Sequence, residues 1–74
     1  MNTQKNTFAG IAKKLYDNKV TIGNYDYEQA MSILLKIEAS HEEIELFKKE
    51  SFYVFIEIMR LETIDSMHNM LKPI

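Results

Sequence analysis

The sequence predicts an all-α fold: a small three-helix domain, two short N-terminal helices packed on a long C-terminal one, in a chain that pairs as a dimer. Three observations carry that expectation. The strong helix breakers are Gly10, Gly23 and Pro73, so nothing between residues 23 and 73 need interrupt a helix. Apolar residues recur at three- and four-residue spacings in each segment, the period of a helix. Finally Phe52–Met59, FYVFIEIM, is apolar everywhere except Glu57, more than one buried stripe requires.

Helix one is expected over about residues 6–17. Phe8, Ile11, Ala12, Leu15 and Tyr16 share one face. Asn6 or Thr7 is placed to cap its start, and Lys13 and Lys14 suit the negative end of its dipole. Gly10 weakens it by roughly 1 kcal/mol relative to alanine. Asp17-Asn18 offers a stop, Val20 and Ile22 alternate as in a short extended piece, and Gly23-Asn24 turns the chain.

Helix two is expected over about 26–39. Asp26 caps it with Gln29 three residues on; Tyr27, Ala30, Met31, Leu34 and Ile37 line one face, widened by Ile33 and Leu35. Ser40-His41-Glu42-Glu43 is an S-x-x-E capping box, which separates helix two from a third helix over about 41–71, stopping before Pro73. A break here lets two antiparallel helices bury each other, which one rod cannot do.

On a helical wheel, Ile44, Phe47, Val54, Ile58 and Leu61 fall on one side of helix three, with Glu42, Glu45 and Lys49 opposite. Further on, Ile64, Met67, Met70, Leu71 and Ile74 cluster, opposed by Asp65, Asn69 and Lys72. The two faces point roughly 150–180° apart. FYVFIEIM lies where they overlap, so it belongs to two interfaces, and two short helices cannot cover both. The expected binding or dimer face is Phe52, Tyr53, Ile56, Met59, Ile64, Met67, Met70 and Leu71. Methionine suits adaptable surfaces and aromatic residues anchor interfaces. Two alternatives compete: FYVFIEI as a strand of good β formers, or a kink in helix three that turns both halves onto one core.

Composition narrows the rest. A chain of 74 residues makes one domain, 1–74, too small to be stable without help from association, partner binding or very good packing. Without cysteine it has no disulfide and no thiolate metal site, which suits the cytoplasm. Hydrophobic content of 46% and charged content of 27% are those of a globular domain. No apolar run is long enough for a membrane span or the core of a signal peptide. Net charge is −2, divided as +3 over residues 1–20, −4 over 21–50 and −1 over 51–74. Eight lysines to one arginine, with nine isoleucines and five asparagines, fit an AT-rich genome and so a bacterial or phage accessory protein.

Chemistry finds little footing. His41 with Glu45 and Asp65 with His68 have helical pair spacing, but ligands are too few for a di-iron-type or zinc site, so no metal and no cofactor is expected. Ser32, Ser40, Ser51 and Ser66 have no oriented base, and the two glycines form no phosphate loop. Glu57 is the one acid within an apolar stripe; it could be a raised-pKa acid, or it could pair with a lysine or with Arg60. Three short helices also frame helix-turn-helix proteins, but SHEEIELFKKE would present four glutamates to phosphate. The expectation is therefore a non-enzymatic regulator or inhibitor that binds itself or another protein, with a small dimeric DNA-binding regulator as the alternative. Neither a membrane nor a small-molecule substrate is expected.

Overall fold

The structure, a computed structural model, describes residues 7–71. Four α-helices make it up: α1 Phe8–Asp17, α2 Tyr27–Lys36, α3 His41–Lys49 and α4 Ser51–Leu71, with a 3₁₀ turn at Ile22–Asn24. The described residues contain no strand, and none of their helices is long and apolar enough to cross a membrane. FYVFIEIM is helical throughout, and the expected extended piece at 20–22 is a loop running into the 3₁₀ turn.

The caps explain where each helix starts. Thr7 Oγ1 accepts the Gly10 N–H at 3.1 Å, and an Asp26 carboxylate oxygen accepts that of Gln29 at 2.9 Å. Ser40 and Glu43 form the reciprocal capping box, with the Glu43 N–H on Ser40 Oγ at 3.1 Å and the Ser40 N–H on Glu43 Oε1 at 3.0 Å. Helices α1 and α2 end alike. Lys19 and Glu38 take left-handed backbone (φ 73° and 59°), and the next N–H in each case, Val20 or Ala39, reaches back to Leu15 or Leu34. These are Schellman ends, built without the usual glycine.

Helix two stops at Lys36 rather than 39, and the expected third helix is in fact two. Glu50 caps α3 with non-helical backbone (φ −139°, ψ 56°), and α4 begins at Ser51. No glycine or proline marks the break, so tertiary packing imposes it. The bend lets α3 bury Phe47 beside Tyr27, ring centroids 5.1 Å apart, while α4 turns to lie along α1, its most extensive neighbour. The Tyr25 hydroxyl donates to the Ser51 carbonyl at 2.8 Å and secures the new helix at its first turn. Asn6, Lys72, Pro73 and Ile74 lie outside the described residues.

One core joins all four helices. Ile11, Ala12 and Leu15 of α1, Val20 of the loop after it, Ala30 and Leu34 of α2, Phe47 of α3, and Val54 and Ile58 of α4 are shielded almost completely. Burying each large side chain stabilises the fold by about 1.5–3 kcal/mol against leaving it exposed. The buried polar residue is Glu43, whose two carboxylate oxygens accept from Lys14 Nζ at 2.7 Å, tying α3 to α1. Burial pushes the Glu43 carboxyl up, but the bonds from Lys14 and Ser40 outweigh it and hold it below its ordinary value.

Candidate functional site

α4 is about 31 Å long at 1.5 Å per residue, and its sides differ in surroundings more than in chemistry. Val54 and Ile58, with half-buried Leu61, face α1 and the core. Across the helix, Phe52, Met59, Met67 and Met70 are exposed and Ile56 is half-buried; Tyr53, Ile64 and Leu71 form an exposed apolar margin. Exposure rises toward the end, from 39% at Met59 to 80% at Met70 and 82% at Leu71. The eight residues expected from the wheel thus lie on one broad side of α4 that the described residues leave mostly uncovered.

The beginning of that side is stiffened by rings. Phe8 of α1 packs on Tyr53 (5.3 Å between centroids), Tyr53 lies 6.1 Å from Phe52, Phe52 stacks on Phe55 (6.4 Å), and Phe55 meets Tyr25 (5.2 Å). Such contacts contribute about 0.5–1.5 kcal/mol each beyond area burial and limit ring rotation. Burial raises the Tyr25 hydroxyl to about 12, so it stays protonated and donates to Ser51. Farther along, Glu62 accepts the Ile22 N–H at 2.8 Å, which pins the middle of α4 to the 3₁₀ turn. Beyond it, the Tyr16 hydroxyl donates to Asp65 at 3.3 Å.

Glu57 is partly buried and loosely paired with Arg60, Nε to Oε1 3.7 Å, as its spacing allowed. His68 is exposed, and the described residues hold no cluster of three or more His, Asp or Glu able to grip a metal. Surface hollows are open and shallow, such as that of His41, Glu42, Glu45, Leu46, Lys48 and Lys49 on α3. Lys48 there sits 3.4 Å from Glu45.

Two features were missed from sequence. The acid set in the core is Glu43, not Glu57; its position four residues before Phe47, on the same helical face, was the available signal. A lesser apolar area also remains on α2, where Tyr27 and Leu35 are exposed although they were assigned to the core side. No protein-family model, characterised relative or solved structure matches the chain.

Proposed function

We propose that this protein is a non-enzymatic regulator or inhibitor that works by binding protein through the outward side of α4. The observation that carries this reading is the exposure of Phe52, Tyr53, Met59, Ile64, Met67, Met70 and Leu71 on one helix. Side chains of this size carry on the order of 150–250 Å² each, so the exposed fractions amount to roughly 800 Å². That exceeds the roughly 300–600 Å² of the largest apolar patch on a typical monomer. It equals what one partner contributes to a standard interface, about 800 Å². A dimer held by this side, acting in the cytoplasm, is the form the reading takes.

The test is a charge placed on the outward side. Met59→Lys should keep helical circular dichroism and cooperative unfolding while abolishing association. If Met59→Lys unfolds the chain, this side serves the fold and the reading fails. DNA binding, the competing reading, predicts salt-dependent retention on heparin, since phosphate contacts weaken steeply as salt rises.

A further inference from the structure

We infer that the outward side of α4 is covered by the α4 of a second copy, running antiparallel, with the two-fold axis between Glu57 and Ile58. The inference rests on the binding role proposed above and names the occupant.

Phe52, Ile56, Met59 and Thr63 are spaced four, three and four residues apart, the alternation of a two-helix seam. They fall within about 60° of one another on the helix, opposite Val54 and Ile58. Antiparallel pairing about the stated axis sets Ile56 against Met59 of the second copy and Phe52 against Thr63. The largest seam residue then meets the smallest, and the layers keep an even width. A parallel pair would stack Phe52 on itself and leave a gap between two threonines, which close packing disfavours.

The flanks agree. Tyr53 and Arg60 occupy one margin of the seam and both are exposed, Arg60 by 67% of its side chain. Antiparallel helices bring like margins together, so Arg60 of each copy lies two residues, about 3 Å along the axis, from the level of the other's exposed Tyr53, within reach of its ring. A guanidinium on an aromatic face is attractive. The other margin carries Phe55 and Glu62, an aromatic and a charge with the same two-residue offset. Past the overlap, Met70 and Leu71 extend beyond the start of the other α4 and over the other copy's globular end. Both copies use one surface, so the assembly closes at two.

The chain has no cysteine, so introduced ones report the register cleanly. Phe52→Cys and Thr63→Cys would be made separately, each at an exposed position, then mixed and oxidised. The inference expects a disulfide-linked pair from the mixture and almost none from either variant alone. In parallel, light scattering behind a sizing column across a hundredfold concentration range should give twice the 8.7 kDa of one chain, and Met59→Lys should return it to one. Efficient self-linking of Phe52→Cys would mean a parallel pair and overturns the inference. So does a wild-type monomer at every concentration. If Met59→Lys stays folded in that monomer, the binding role survives with another protein as occupant; if it unfolds, both fall.

Discussion

The two sides of α4 are made of the same kind of residue and meet opposite fates. Val54 and Ile58 are wholly shielded, whereas Ile64, Met67 and Met70 stand mostly in solvent on the same helix. Side-chain chemistry cannot account for the difference, since isoleucine appears on both. What separates them is supply: α1, α3 and the 3₁₀ turn cover about one side of a 21-residue helix, and Phe8 of α1 reaches the other at its first turn, on Tyr53. In a chain this short, apolar content beyond one core goes to the surface, and the binding role proposed above gives it a use.

The sharpest way to break that comparison is to truncate matching residues. Phe47→Ala should cost about 3–5 kcal/mol and Ile58→Ala about 2–5 kcal/mol by urea denaturation. Ile64→Ala should change the stability of the single chain by less than about 0.5 kcal/mol. Equal costs at Ile58 and Ile64 would erase the distinction between the sides.

The covering helices depend on their own links, and these give smaller effects. Lys14→Ala leaves the shielded Glu43 carboxylate without its cation and should cost about 1–3 kcal/mol. The fold holds the Glu43 carboxyl below its ordinary 4.5, so the stability of this link is complete above that pH and is lost as pH falls through the folded value. Acid titration of wild type against Lys14→Ala should therefore converge at low pH.

Tyr25→Phe removes the bond to Ser51 at the start of α4 and should cost about 1 kcal/mol. Here the folded value lies above the ordinary 10, so the contribution is complete below pH 10 and fades as pH rises toward 12. Thermal unfolding at pH 9 and pH 11 should show a larger loss for wild type than for Tyr25→Phe. Opposite in sign, Lys19→Gly and Glu38→Gly should each stabilise by about 0.5–1 kcal/mol, because each position has left-handed backbone that a side chain resists. A melting temperature that falls in either variant would mean its side chain contributes more than the strain costs.

Local signals in the sequence located the caps at Asp26 and Ser40, narrowed the first to Asn6 or Thr7, and found the break between α2 and α3, because a cap is a short-range hydrogen bond between residues three apart. The break at Glu50 was not legible, since KKES has no breaker and a continuous wheel joins Phe47 to Val54 without conflict. The bend lets Phe47 reach Tyr27 of α2 while α4 lies along α1, contacts between segments distant in sequence. The kink that competed with a continuous third helix is present at Glu50, but it comes before FYVFIEIM and leaves the outward side mostly uncovered. The exposure of Phe52, Tyr53, Met59, Ile64, Met67, Met70 and Leu71 was legible because a doubled apolar pattern on one helix is periodic. Glu43 was overlooked because its capping role concealed its place beside the core.

The packing of α1 against α4 has a consequence in time. The first helix finds its main neighbour some 40 residues later in the chain, and the Tyr16–Asp65 bond spans 49 positions. An emerging polypeptide can form α1, α2 and the Ser40 box locally, yet Ile11 and Leu15 stay wet until Val54 and Ile58 have been synthesised. Helices alone would assemble quickly, but a closure between distant segments must come first and slows the final step. Completion is thus all-or-none, and a chain halted before α4 would present the bare side of α1 to whatever chaperone or protease is near.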